Sequence, residues 1–179
     1  MTYYQDEDLI IRDLTVEDAQ RITDGEIWQG WDARVEKYLD RIQDRDEGKC
    51  ISLVAELRGE AAGYINVYPD SKWGAYANQG YPEIIDFGVL EKYRRHGIGG
   101  RLMDVAERIA AGYSDTVYLG VGLHSGYGSA QRMYVKRGYV PDGSGVWYGD
   151  SVCAPYGACK NDDDLNLYFY KDLTAKSDL

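Results

Sequence analysis

The stretch Val89-Leu-Glu-Lys-Tyr-Arg-Arg-His-Gly-Ile-Gly-Gly-Arg-Leu102 restricts this chain more than any other. An apolar run reads as a strand, breaks into a glycine-rich segment, and leads into an amphipathic helix. Gly97, Gly99 and Gly100 let the backbone come close to a ligand. The first N–H groups of a helix lack intrahelical acceptors, and the macrodipole adds roughly half a positive charge at that end. Such an end binds anions. Lys92, Arg94, Arg95 and Arg101 form a basic island in a chain of net charge −10, which favours a phosphate-bearing ligand. Glycines alone would serve equally for a tight turn and close helix–sheet packing; the flanking strand, the helix and the cations tip the balance. No G-x-x-x-x-G-K-[ST] occurs, and Gly120-Val-Gly122 has Ser125 where a dinucleotide fingerprint needs its third glycine.

The surrounding pattern predicts one α/β layered domain over residues 1–179, with a mixed, mostly antiparallel sheet flanked by helices. Asp8 to Leu14 reads as a strand. Thr15 to Asp18 reads as a capping box that opens a helix reaching about Ile22. Asp32 to about Glu47 has helical spacing, with Val35, Tyr38, Leu39 and Ile42 on one stripe. Cys50 to Leu57 and Ala61 to Tyr68 read as a hairpin around Arg58-Gly59. After an aromatic insertion from Pro69 to Pro82 come a strand (Glu83 to Leu90), a helix (Gly99 to Ala111), a strand (Thr116 to Leu123) and a short helix (Ser129 to Arg137) closed by Gly138. Asp142 to Asp164 reads mostly as loop, with a short strand at Val146 to Tyr148, and Leu165 to Tyr170 as a last strand.

Three segments in order carry a resemblance. Arg94-x-x-Gly97-x-Gly99 resembles the coenzyme A signature of the GNAT superfamily of N-acetyltransferases. Glu83-Ile-Ile-Asp-Phe-Gly-Val89 looks like that family's strand before the pyrophosphate loop, and Ala130-Gln-Arg-Met-Tyr134-Val-Lys-Arg-Gly138-Tyr139 like its fourth helix and following strand. The resemblance covers nearly the whole chain. It implies acetyl-CoA as cosubstrate and transfer of the acetyl group to an amine. By position, the backbone of Phe87, Gly88, Val89 and Leu90 pairs with the pantetheine arm. Arg94, Arg95, Gly97, Ile98, Gly99, Gly100 and Arg101 surround the pyrophosphate. Tyr127 stands where the family commonly has an Asn, so a side-chain amide contact is not implied there.

Acetyl transfer requires an amine that sheds a proton, a donor for the carbonyl oxygen and a proton for the leaving thiolate. A backbone N–H near Val89 suits the second demand. Tyr134, at the family's tyrosine position, suits the third, since a phenol with a pKa near 10 is matched to a thiolate. Glu83 is the candidate base, directly or through water, with Asp86 the alternative if a bulge reverses its side of the strand, and no dedicated protein base the third reading. Trp28, Trp31 and Tyr81 are expected to line the acceptor site, either caging a cationic amine or packing loops. The acceptor is read as a primary amine of a small molecule. A protein or peptide amine and a non-catalytic acyl-CoA-binding module are the alternatives.

The acidic charge argues against a nucleic-acid partner. Three cysteines without paired spacing support neither a disulfide framework nor a metal site, and fit a reduced, cytoplasmic setting. The polar N-terminal residues do not resemble a signal peptide. No apolar run approaches the ~20 residues that span a bilayer, so no membrane partner is expected. Oligomeric state stays open, a homodimer included.

Overall fold

The computed structural model describes residues 1–174 and has a mixed α/β architecture. The chain divides into two compact units, residues 1–68 with 84–109, and residues 69–83 with those from 110 onward.

The first unit holds β1 (Thr2–Gln5), β2 (Leu9–Asp13), α1 (Val16–Trp28), α2 (Val35–Asp46), β3 (Ile51–Leu57), β4 (Glu60–Tyr68), most of β5 (Glu83–Val89) and nearly all of α3 (Ile98–Ala110). Its strands lie in the order β1-β2-β3-β4-β5, and the first four pair antiparallel. Arg58 and Gly59 both have positive φ, 51° and 84°, the geometry a two-residue turn needs to match the twist of its strands. The expected capping box is present, with Thr15 and Asp18 bonding reciprocally. On one side of the sheet Leu14, Ala19, Ile22, Tyr38, Ile42, Val54, Ala61 and Tyr64 form a buried cluster. Leu102, Met103, Val105 and Ala106 of α3 are buried as well.

The second unit holds β6 (Thr116–Gly122), α4 (Gly128–Lys136), β7 (Val140–Tyr148), β8 (Ser151–Val152) and β9 (Leu165–Asp172). Its strands run in the order β6-β9-β7-β8, all antiparallel. Glu83, at the start of β5, pairs in parallel with Tyr118. The insertion at residues 69–82 packs its aromatics here: the Tyr76 ring lies 5.0 Å from Tyr118 and 5.7 Å from Tyr81.

Several elements differ from the sequence reading. α1 continues six residues past Ile22 to Trp28. Gly25, which reads as a breaker, sits inside the helix because an added Cβ would stand 2.6 Å from the Leu90 side chain. Leu39, expected on the inward stripe of α2, is exposed. β1 was not expected. β7 begins at Val140 and runs through Gly143 and Gly145, in the stretch from Asp142 that reads mostly as loop. The two glycines have positive φ (82° and 95°) and lie where the pairing with β9 shifts register, so a bulge absorbs them and the strand continues.

Candidate active site

β5 ends with Leu90 N–H donating to Ala62 O at 2.9 Å. A single 3-10 turn, Glu91–Tyr93, follows. Arg95 (φ 67°) and Gly97 (φ 76°) then reverse the chain, and Arg101 N–H donates to Gly97 O at 3.1 Å to close the first turn of α3. Ile98, 1% exposed, fixes the start of the helix in the core. The glycines do different work. A Cβ on Gly97 or Gly100 would meet nothing within 4 Å, whereas one on Gly99 would stand 3.2 Å from the Phe87 ring. Gly99 therefore serves packing, and Gly97 and Gly100 leave room for a ligand at the helix end.

The cations around this loop are exposed at Lys92, Arg94, Arg95 and Arg101. Arg94 Nε donates to Val89 O at 3.2 Å, and its guanidinium lies 5.9 Å from the Trp31 ring. Arg101 stacks 4.5 Å over Tyr4 and reaches Asp104 at 3.3 Å. Both are braced by local partners while their charge faces solvent. His96 is exposed, with Nδ1 3.0 Å from Arg94 O.

Within β5, Asp86 alone has positive φ, 48°. A non-glycine residue held there costs about 1–3 kcal/mol. Its carboxylate is gripped by Arg41 Nε at 2.7 Å and faces Lys37 Nζ at 3.6 Å. Two residues on, a Cβ at Gly88 would stand 2.9 Å from the Tyr64 hydroxyl. That hydroxyl donates to Glu26 Oε1 at 2.8 Å, and the Tyr38 hydroxyl donates to Glu26 Oε2 at 2.7 Å. Glu26 is only 4% exposed. Burial first, and then the Glu26 charge, push the Tyr64 phenol far above its ordinary pKa. The sequence reading missed this group. Its signal was present: Ala19, Ile22, Thr23 and Glu26 continue one helical stripe, and all are buried.

In the second unit, Tyr134 of α4 is 6% exposed, with its ring 5.8 Å from Tyr139. Burial, and secondarily Tyr127, push its phenol above 10, which keeps it a proton donor at neutral pH. Tyr127 stands at the N-cap position of α4, and its hydroxyl donates to Asp163 at 2.8 Å. His124 Nε2 stands 3.0 Å from the same carboxylate oxygen. Glu83 is buried and accepts from the hydroxyls of Ser71 and, at 3.3 Å, Tyr118. Of the aromatics expected around an acceptor, Trp28 and Trp31 are exposed and Tyr81 is half-buried against Tyr76.

Among the described residues, no group of three His, Cys, Asp or Glu side chains is placed to hold a metal ion, and no helix is long and apolar enough to cross a membrane.

Residues 13–139 match the model of the acetyltransferase (GNAT) family. No curated protein matches the chain in sequence. Several solved structures share the fold. An N-acetyltransferase from Staphylococcus aureus superposes with a TM-score of 0.67 at 17% identity, covering 94% of this chain and 100% of its own. The yncA acetyltransferase of Salmonella typhimurium, solved with its cofactor acetyl-CoA, gives 0.62 at 18% identity, covering 96% and 97%. RimL, a ribosomal alpha-N-protein acetyltransferase, gives 0.66 at 10% identity, covering 98% and 100%.

Proposed function

The chain belongs to the acetyltransferase (GNAT) family, an acyltransferase with acetyl-CoA as cosubstrate, and on that premise we propose that it acetylates the primary amine of a small molecule by direct attack in a ternary complex. The observation that carries the acetyl-CoA half of this reading is the loop before α3, where the space at the Cβ positions of Gly97 and Gly100 is open beside exposed cations. The residues present fit a pyrophosphate: helix amides and charge at one end, and no side chain filling the space.

The main chain from Phe87 to Leu90 is assigned to the pantetheine arm. Residues 94–101 are assigned to the pyrophosphate. Tyr134 is assigned the thiolate's proton, a role its burial supports by keeping it protonated. Glu83 stands as a candidate to receive a proton from the amine, and Trp28, Trp31 and Tyr81 as acceptor contacts. Holding both reactants together supplies proximity that a solution encounter lacks.

The test is a panel of amines (polyamines, amino sugars, amino-acid derivatives and peptides), incubated with acetyl-CoA and read by mass spectrometry for product and free thiol. Acetylation of a small primary amine in preference to peptides supports the reading. Preference for a peptide N-terminus overturns the acceptor class, and acetyl-CoA binding without turnover of any amine overturns the enzyme. With a turned-over amine in hand, Tyr134→Phe is expected to lower kcat about 100-fold or more while leaving acetyl-CoA affinity unchanged. An unchanged kcat, with chemistry rate-limiting, removes Tyr134 from the reaction.

A further inference from the structure

α1, α2, β4 and β5 bring one compact group together in the first unit. Glu26 is buried, and each of its carboxylate oxygens accepts from one tyrosine hydroxyl, at 2.7 Å from Tyr38 and 2.8 Å from Tyr64. The two rings meet edge to face, 4.9 Å between centroids. Over both rings stands a primary ammonium, the Nζ of Lys37, 5.3 Å from the Tyr38 centroid and 5.1 Å from that of Tyr64. The same nitrogen lies 3.4 Å from the Tyr64 hydroxyl oxygen and 3.6 Å from Asp86 Oδ1.

This is a complete ammonium site: two aromatic faces for the charge, a carboxylate beside it and a hydroxyl in hydrogen-bond reach. Lys37 fills it while remaining 40% exposed, so the site opens to solvent and its occupant can withdraw. The Tyr64 hydroxyl also lies against Gly88, where an added Cβ would be 2.9 Å away. Gly88 is in the stretch assigned above to the pantetheine arm.

We propose that the acceptor's amine takes the position marked by Lys37 Nζ, and that it loses its proton through Tyr64 to Glu26 in place of the candidate Glu83. The inference rests on the acetyl-transfer reading. A protonated amine enters and passes one proton to the Tyr64 oxygen as the Tyr64 hydroxyl proton passes to Glu26. The freed lone pair forms the N–C bond at the acetyl carbonyl. The C–S bond breaks with its electron pair going to sulfur, and the second proton lost from nitrogen is balanced by the proton the thiolate takes up. Amide and thiol leave, and Glu26 returns its proton to solvent by the reverse path. Tyr64 acts as a conduit rather than as a base, since its hydroxyl holds its proton far above neutrality. The groups facing Glu26 and the ammonium position are Tyr38 and Lys37 from α2, Tyr64 from β4 and Asp86 from β5.

The experiment uses the full chain and the best amine from the panel. Glu26→Gln and Tyr64→Phe are each expected to lower kcat about 100-fold and to leave the KM for acetyl-CoA near wild type, with Glu26→Gln losing no more stability than Glu83→Gln, whose carboxylate is equally buried and also accepts from two hydroxyls. In both variants the residual rate should climb with pH across the neutral range, because solvent then takes the proton. Lys37→Met, which removes the resident cation, should lower the KM for the amine. The proton route is overturned if both variants keep kcat within about twofold of wild type. It is also overturned if kcat and acetyl-CoA affinity fall together in both variants, the mark of a structural role. A raised amine KM in Lys37→Met overturns the assignment of the ammonium position. A wild-type protein that acetylates no amine overturns the acetyl-transfer reading, and this inference with it.

Discussion

Glu26 in the first unit and Glu83 in the second are equally buried, each 4% exposed, and each accepts from a tyrosine hydroxyl. What separates them is where the tyrosine leads. The Tyr64 hydroxyl gives its proton to Glu26 and, on its oxygen, meets the ammonium of Lys37. The Tyr118 hydroxyl divides its proton between Glu83 and the main-chain carbonyl of Trp73, the latter at 3.0 Å. A main-chain carbonyl carries no proton onward. The same residue pair, a buried glutamate with a tyrosine, thus ends at a half-exposed cation in one unit and at a main-chain carbonyl and the Ser71 hydroxyl in the other. Burial alone does not distinguish a proton acceptor from a structural carboxylate; the second neighbour does.

The largest effect expected from this contrast is a split in kcat. Glu83→Gln should keep kcat within about tenfold of wild type, against the roughly hundredfold loss in Glu26→Gln. Both variants should lose about 1–3 kcal/mol of stability, because a glutamine cannot receive two hydroxyls as a carboxylate does, so the rate and not the stability separates them. Steady-state rates and urea unfolding on the same preparations decide it. If kcat in Glu83→Gln falls as far as in Glu26→Gln, the contrast breaks, and Glu83, the carboxylate the sequence pointed to, takes the amine's proton.

A smaller effect tests how closely the first unit is built around Gly88. A Cβ at Gly63 of β4 would stand 2.7 Å from Gly88 O, and 3.2 Å and 3.3 Å from Val89 and Leu102 side chains. The nearest of these is main chain and cannot turn aside. Gly63→Ala is expected to cost about 1–3 kcal/mol, as overpacking does, and to weaken acetyl-CoA binding by displacing β5. In the second unit, the nearest neighbour of an alanine at Gly120 would be the Tyr168 ring, at 3.2 Å, a side chain rather than main chain, and the change should cost less. Equal losses in unfolding free energy would show that β5 has room to move.

The loop before α3 was legible in the sequence because its requirements are local. Positive φ at Gly97, open space at Gly97 and Gly100, and a helix beginning at Ile98 all follow from neighbouring residues. The β3–β4 turn and the capping box were legible for the same reason. The Glu26 group was not, since Tyr38 and Tyr64 reach it from 12 and 38 residues away, and only the fold brings them together. Gly25 hid it further. A glycine beside Glu26 reads as the end of a helix, whereas the structure needs a glycine there to admit Leu90. β7 failed in the opposite way: Gly143 and Gly145 signal a loop, but pairing with β9 on either side of a bulge overrides them. Positions where local preference yields to long-range packing are where sequence reading gives out.

The smallest effect concerns acid. Asp18 in the first unit and Asp163 in the second both have lowered pKa values, for different reasons. Burial alone would raise Asp18; the hydrogen bonds from Arg12 and Thr15 and the Arg12 charge outweigh it. Asp163 is held down by hydrogen bonds from His124 and Tyr127, with its side chain 79% exposed. In both cases the folded value lies below the unfolded one, near 4. Each carboxylate therefore contributes stability above about pH 4 that is lost as pH falls through the folded value. The contributions should differ in size, because Asp18 is 2% exposed and bound by Arg12 at 2.6 Å, while solvent screens Asp163. Asp18→Asn should lower stability at neutral pH and flatten the loss of stability below pH 4, to a greater extent than Asp163→Asn does. Unfolding free energies measured from about pH 3 to pH 7 check both; parallel curves for wild type and Asp18→Asn would show that the Arg12 pair contributes no net stability.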